Sequence, residues 1–178
     1  MNVNDIIRNL QLVGEELEAI QIPEPIEVLL IGGSFMLTQI KNRAVTRDID
    51  VAVIRPDATS ESYRIFKGVV KFVAHDEGLD PSWLSTNMED FLRIAGPLPR
   101  KLRLWKRFGP LSVYVPPKKF ILAHKLVAGR EKDQDDIHAL LRQLRIRTRA
   151  QAQQILDTYI SQDIQAINHV EGTLDIFF

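Results

Sequence analysis

Residues 26–34 read IEVLLIGGS and residues 48–54 read DIDVAVI, and these two stretches decide the fold. Both contain an apolar run of strand length. In the first stretch the run leads into two glycines, and in the second it follows two aspartates. We therefore predict two buried strands separated by a turn and a short helix, with the glycines and the aspartates at the strand ends.

The glycine turn that ends the first strand is suited to hold an anion. Gly32 and Gly33 lack a Cβ, so a ligand can approach the main-chain N–H groups closely. A helix that begins near Ser34 directs its unpaired amides and its positive end toward the same place. The Ser34 hydroxyl can cap that helix or donate to a phosphate oxygen. The alternative is a strand-to-helix turn in which glycine only permits tight packing.

Asp48 and Asp50 are separated by one residue, which places both side chains on the same face of a strand. We expect their Cα atoms to lie about 6.6 Å apart, from a rise of about 3.3 Å per residue. Two carboxylates at that spacing can converge on one or two Mg²⁺ ions, which prefer oxygen ligands. Their mutual repulsion also favours a bound cation. The alternative is a solvent-exposed pair at the start of a strand.

The order of these motifs resembles the opening of the nucleotidyltransferase superfamily, whose fold is shared with DNA polymerase beta. The pattern is an apolar residue followed by Gly-Gly-Ser, a short helix, and two aspartates that alternate with apolar residues. Residues 125–137, KLVAGREKDQDDI, are similar to a second signature found in the AbiEii-type toxin branch and its small uncharacterised relatives. The resemblance covers about residues 26–145.

This resemblance implies a Mg²⁺-dependent enzyme that moves a nucleoside monophosphate from ATP or another nucleoside triphosphate to a hydroxyl of an RNA, a protein or a small molecule. Gly32, Gly33 and Ser34 match the phosphate-binding turn. Asp48 and Asp50 match the catalytic carboxylates that hold the metal and orient the attacking hydroxyl. The branch also suggests a toxin–antitoxin or phage-defence component with an antitoxin partner.

In the second signature, the resemblance assigns nucleotide-binding roles to Lys125 and Asp133. Lys125 matches a lysine that contacts the nucleotide phosphates, and Asp133 matches the acid of the Lys-Asp pair; Arg130 and Lys132 are weaker matches. The residues alone have simpler explanations. A lysine on an amphipathic helix is usually solvated or snorkelling, and an aspartate before a helix is an ordinary N-cap.

One departure from the superfamily concerns a third carboxylate, which many members place on a later strand. The strands predicted over residues 102–108 and 111–115 contain no acid. Either the chain works with a reduced metal set, or it is a catalytically degraded copy of the fold that serves as a binding or interaction protein.

Composition is consistent with a cytoplasmic domain. The chain has 178 residues, 45% of them hydrophobic, which is enough to bury a sizeable core. It has no cysteine, which excludes disulfides, thiolate metal sites and cysteine nucleophiles and agrees with a reducing compartment. We expect no membrane association, because no apolar stretch reaches membrane-spanning length and the N-terminus does not read as a signal sequence.

Basic residues are concentrated in two segments, although the formal net charge of the chain is zero. Residues 100–107, RKLRLWKR, combine five cations with a tryptophan, and residues 142–149 contain four arginines. The first segment could hold an RNA end or a phosphate tail. The alternative is a solvated edge strand, where lysine discourages aggregation.

We predict an α/β fold of the nucleotidyltransferase kind, with a small mixed sheet, flanking helices and a helical C-terminal half. Residues 1–25 should form an N-terminal helix packed on the core, capped by Asn4 or Asp5. Residues 26–116 should form the α/β core, and residues 117–178 a helical part of the same unit.

Within this plan, Gly109-Pro110 should separate the strands of a hairpin. Further helices are expected from about residue 35 to 40, from Pro56 onward, and over residues 88–94. In the C-terminal part, the helix with Lys125 should be followed by two more, the last over about residues 149–168.

Overall fold

The computed structural model describes residues 1–86 and 98–178 of the chain, which divide into two units by their internal contacts. Among the described residues, the first unit comprises residues 1–86 and 102–115, and the second comprises the rest. Each unit has its own set of buried apolar side chains.

Within residues 1–86 and 102–115, the first unit is built on a mixed sheet of five strands. They are β1 (Ile26–Leu30), β2 (Ile49–Arg55), β3 (Leu84–Ser85), β4 (Arg103–Phe108) and β5 (Leu111–Val115). Their order is β3-β2-β1-β5-β4. Strand β1 pairs antiparallel with β2 and parallel with β5, while β2 pairs parallel with β3 and β4 antiparallel with β5. The mixed sheet and the hairpin across Gly109-Pro110 are therefore confirmed.

Helix α1 (Val3–Ile20) packs against this sheet along an apolar face. Four side chains spaced three or four residues apart are fully buried, which is the helical period: Ile6, Leu10, Val13 and Leu17. The predicted cap was wrong. Asn2 is the N-cap, because its side chain accepts from the Asn4 and Asp5 amides while the Asp5 carboxylate accepts from the Asn2 amide, a reciprocal capping box.

Helix α3 (Glu61–Asp76) covers the sheet next to α1. It begins at Glu61 rather than at Pro56, because Ser60 caps it by accepting a hydrogen bond from the Tyr63 amide at 3.0 Å. Trp83, which directly precedes β3 and is only 2% exposed, connects that strand to α3: its indole N–H donates to the Val70 carbonyl oxygen at 3.2 Å.

The segment between β1 and β2 differs from the single short helix that the sequence predicts. It contains an α-helical turn, α2 (Gly32–Phe35), which continues directly into a π-helical turn, Met36–Ile40. Lys41 ends it in the left-handed conformation, with its amide donating to the Met36 carbonyl oxygen. The helix thus begins at the first glycine, three residues earlier than predicted.

The second unit is helical throughout its described elements. These are α4 (Lys118–Ala128), a 3-10 turn (Glu131–Asp133), α5 (Gln134–Leu144), α6 (Arg149–Tyr159), α7 (Gln162–Ile167) and α8 (Val170–Phe177). The predicted helix over residues 149–168 is therefore two helices. Ile160 leaves the helical conformation, and Ser161 then caps α7 by accepting from the Ile164 amide.

The structure thus confirms a mixed α/β architecture with flanking helices and a helical C-terminal part. The helix predicted over residues 88–94 lies outside the described residues. In the part of the chain that the structure describes, no helix is both long and apolar enough to cross a membrane.

Candidate functional site

Pairing between β1 and β2 brings the glycine turn to Asp50. Leu30 lies opposite Val51 in the antiparallel register, so the residues beyond β1 face the beginning of β2. The Ile31 amide continues this pairing, because it donates to the Asp50 carbonyl oxygen at 3.0 Å. The end of the first strand and the start of the second therefore meet at one end of the sheet.

The carboxylate of Asp50 lies directly against Gly32. A Cβ built on Gly32 would lie 2.0 Å from Asp50 Oδ2 and 2.7 Å from its Cγ, so the side chain fills the space that any other residue at position 32 would need. Gly32 also has a φ of +59°, in the left-handed region that favours glycine. Two independent constraints therefore require glycine here, and one of them is contact with a candidate catalytic acid.

Ser34 is completely buried behind this turn. Its hydroxyl donates to the Ile31 carbonyl oxygen at 2.8 Å and lies 3.4 Å from the carbonyl oxygen of Asp50. The serine thus ties the first helical turn to both strands. Its predicted contact with a phosphate stays a prediction, and the N-cap position belongs to Ile31, which makes no side-chain cap.

Asp48 immediately precedes β2 and is half-buried, as is Asp50. Ile49, between them, is fully buried and its amide donates to the Trp83 carbonyl oxygen at 2.7 Å. This alternation of exposure is the one expected when residues i and i+2 share a face. The Asp48 carbonyl oxygen also accepts from the Thr46 hydroxyl at 3.1 Å, which fixes the backbone just before the strand.

Gly33 brings in two residues that the sequence analysis missed. A Cβ at this position would lie 2.7 Å from the Thr46 hydroxyl oxygen and 3.1 Å from Nη1 of Arg43. A guanidinium group therefore lies beside the turn, where it adds positive charge next to the main-chain amides. The sequence did indicate positive charge near the turn, since Lys41, Arg43 and Arg47 all lie between the glycines and the aspartates.

The second signature forms a buried ion cluster inside the second unit. The Lys125 ammonium contacts Asp133 Oδ1 at 2.7 Å and Asp136 Oδ2 at 2.8 Å. The three side chains are 10%, 11% and 1% exposed. Lys125 is therefore neither solvated nor snorkelling. Asp133 stands at the N-cap position of α5 but makes no side-chain cap, because its carboxylate binds Lys125 instead.

Asp136 was the residue missed in this cluster. It follows Asp133 by three residues, a spacing that puts two side chains on one helical face. The spacing therefore indicates that the two aspartates lie together, but it does not identify Lys125 as their partner. The roles that the resemblance gives Lys125 and Asp133 in nucleotide binding stay predictions, and the observed contacts provide a structural role for both.

His124, next to Lys125 on α4, is also buried. Its Nδ1 lies 2.9 Å from the Phe120 carbonyl oxygen, an acceptor only, so the neutral ring carries its proton on Nδ1 and donates it there. Burial lowers the pKa of His124 from its ordinary value of 6.5 to about 4, against the opposing effect of the Phe120 hydrogen bond. The ring is therefore neutral at physiological pH.

The basic strand β4 has mostly local partners. Arg103 donates to the Gln39 side chain, Arg107 donates to the Ser112 hydroxyl, and the Lys106 ammonium lies 5.9 Å from the Trp105 ring centroid. In the described sheet β4 is the last strand of the order. These contacts are those of a solvated edge strand, the simpler of the two alternatives for this segment.

Over residues 1–86 and 98–178, no group of three or more His, Cys, Asp or Glu side chains is placed to hold a metal ion. The chain matches no protein-family model, no curated protein and no solved structure.

Proposed function

We propose that this chain is a magnesium-dependent nucleotidyltransferase of the DNA polymerase beta-like fold. It moves a nucleoside monophosphate from ATP or another nucleoside triphosphate to a hydroxyl of an RNA, a protein or a small molecule. In the cell it acts in the cytoplasm as a component of a toxin–antitoxin or phage-defence pair, with an antitoxin as its partner.

One observation carries this proposal: the Asp50 carboxylate lies against Gly32 where the end of β1 meets the start of β2. The proposal requires an acid and a glycine turn within reach of the same ligand, and these two are in contact. A sheet in which the turn and the acid lay on opposite faces would have been incompatible with it. The half-buried Asp48 two residues earlier supplies a second carboxylate at the same end.

The donor set at this end of the sheet fits magnesium, because carboxylate oxygens are the hard ligands that this cation prefers. Asp48 and Asp50 would hold it, and it would supply positive charge to the triphosphate and the attacking oxygen. The same two carboxylates orient the acceptor hydroxyl for in-line attack on the α-phosphorus. The first-turn amides of Gly32 and Gly33, which have no partner within the helix, bind the departing pyrophosphate, and Arg43 adds charge there.

A labelled-transfer experiment tests this function. The protein is incubated with each of the four α-phosphorus-labelled triphosphates, Mg²⁺ and a cell extract that supplies acceptors. We expect label to appear on an acceptor, and we expect Asp48→Asn and Asp50→Asn each to reduce it by about 100-fold or more. Asp76→Asn, which removes an exposed acid at the end of α3, is the matched control and should transfer normally.

The result that would refute the proposal is absence of transfer to any acceptor by the folded wild-type protein, or equal transfer by all three variants. Thermal unfolding of each variant distinguishes a lost carboxylate from a lost fold.

The second candidate function is a binding or interaction protein that keeps the fold without catalysis. The Lys125 cluster favours it, since both carboxylates there neutralise the lysine and serve the packing of the second unit. Calorimetry separates the two functions. A nucleotidyltransferase should bind a triphosphate more tightly with Mg²⁺ than without it, and Asp50→Ala should abolish that difference. Triphosphate binding that ignores Mg²⁺ would favour the binding protein.

A further inference from the structure

A basic groove lies in the second unit, between the end of α5 and the end of α8. It encloses about 380 Å³, within the range of ligand sites. Its charged and aromatic lining residues are His138, Arg142, Arg145, Arg147, Phe177 and Phe178. The groove is formed entirely by this unit, and the proposed nucleotidyltransferase chemistry makes no use of it.

The three arginines of the basic groove have no partner for their charge in the described chain. All three are exposed, and their guanidinium groups make no hydrogen bond or ion pair with any residue of 1–86 or 98–178. Arg149, by contrast, pairs with Asp175 just outside the groove. The described side chains that line the groove include no carboxylate. Because the formal net charge of the chain is zero, this positive charge is local, and its exposure makes it accessible to an external anion.

The turn that follows α5 holds the arginines together. The Arg145 amide donates to the Arg142 carbonyl oxygen at 3.2 Å, and the Ile146 amide donates to the Leu141 carbonyl oxygen at 2.9 Å. Arg147 is anchored by its own amide, which donates to the Gln151 side chain at 2.8 Å. The backbone that carries the charges is therefore fixed before any ligand arrives, which lowers the entropic cost of binding.

Aromatic rings stand beside these charges. Phe177 makes an edge contact with His138, with ring centroids 5.0 Å apart. Phe178 is 42% exposed, and so its ring is accessible to a ligand. Guanidinium groups next to an accessible aromatic face are the combination that proteins use for single-stranded nucleic acids, where phosphates meet the cations and unstacked bases stack on the rings.

We propose that the basic groove binds single-stranded nucleic acid, with phosphates on Arg142, Arg145 and Arg147 and a base stacked on Phe178. An acidic peptide would satisfy the cations but would bring no flat ring to the phenylalanine. A duplex keeps its bases stacked inside, where the ring cannot reach them. The ligand is recognised by its phosphodiester chain and its exposed bases, which RNA and DNA share.

Fluorescence anisotropy with end-labelled dodecamers of oligouridine and oligothymidine tests the proposal on the full chain. Three phosphate contacts predict a slope of log affinity on log salt of about −2, and hence about 20-fold weaker binding at 200 mM than at 50 mM salt. Arg142→Gln with Arg147→Gln should reduce that slope by about 1.4. Phe178→Leu, which keeps an apolar side chain, should weaken binding about fivefold or more by removing the stacking surface.

The matched control is Arg64→Gln with Lys71→Gln, which removes two exposed cations from α3 and should leave affinity within about twofold of wild type. Binding of both dodecamers would identify the ligand as any single strand, and binding of oligouridine alone would identify it as RNA.

Four results would overturn the proposal. The first is that no dodecamer binds at 50 mM salt and 200 µM protein, a concentration roughly twice the weakest expected Kd. The second is an equal loss of affinity in the groove and control variants, and the third is unchanged affinity in Phe178→Leu. The fourth is that a labelled oligoglutamate peptide binds and the dodecamers do not.

Discussion

Acidification from pH 7 to pH 5 should destabilise the second unit through His124. His124 as a whole residue is 8% exposed, and burial of its imidazole lowers the pKa to about 4. In the unfolded chain the same ring titrates near 6.5. Between these two values the unfolded state binds a proton that the folded state does not, so the free energy of unfolding falls as the pH falls through this window.

The size of the effect follows from the two pKa values. One pKa unit corresponds to about 1.36 kcal/mol, so the difference between 6.5 and about 4 amounts to roughly 3.4 kcal/mol once both states have titrated. From pH 7 to pH 5 the unfolded ring becomes almost fully protonated while the folded ring stays neutral. The expected loss over that interval is about 2 kcal/mol, a large part of the stability of an ordinary domain.

Urea unfolding at half-unit intervals between pH 7.5 and 5 measures this loss, with helical circular dichroism as the signal. The comparison variant is His124→Asn, whose amide nitrogen can replace Nδ1 as donor to the Phe120 carbonyl oxygen but does not titrate. The wild-type free energy of unfolding should fall by about 2 kcal/mol more than that of the variant. His138→Asn, which removes an exposed ring from α5, is the matched histidine substitution and is measured in parallel.

Equal pH dependence in wild type and His124→Asn would refute the reasoning, because it would mean that the folded protein protonates this ring as readily as the unfolded chain does. Other acid-sensitive groups do not affect this comparison, since they contribute equally to the pH dependence of unfolding in wild type and in His124→Asn.

Three substitutions test the packing of the fold through the free energy of unfolding, measured in urea at pH 7.5. Gly32→Ala should cost more than about 2 kcal/mol, because the alanine would be held in a left-handed backbone conformation and its Cβ would collide with Asp50. Gly14→Ala should cost about 1–3 kcal/mol, since its Cβ would lie 2.4 Å from the Phe108 carbonyl oxygen. Lys125→Met should cost about 3–5 kcal/mol by leaving two buried carboxylates without their cation.

Each of these substitutions has a matched control. Gly78 shares the left-handed backbone but has open space around it, so Gly78→Ala isolates the conformational cost. Gly68 lies in α3 with no neighbour near its missing Cβ, and Gly68→Ala should stabilise the helix by about 0.5–1 kcal/mol. Lys119→Met, on the exposed side of α4, should change stability by less than about 0.5 kcal/mol. Equal effects in a test variant and its control would contradict the contact assigned to that position.

Much of the fold could be predicted from the sequence because local patterns decide it. Apolar runs of strand length specify β1, β2 and β5, and the spacing of Ile6 to Leu17 specifies α1. Boundaries were less predictable where two capping residues stood close together. Asn2 was preferred to Asn4 as the cap of α1 because only Asn2 has an acid three residues later to complete the capping box.

By itself, the sequence determined that glycines would end one strand and aspartates would begin another, since both features depend on nearest neighbours along the chain. Only the tertiary structure decided that the Asp50 carboxylate lies on Gly32, that Arg43 stands beside Gly33, and that Lys125 is enclosed by two carboxylates. The physical reason is that strand register and helix packing set these distances, and neither is fixed by the identity of the residues on a single strand or helix.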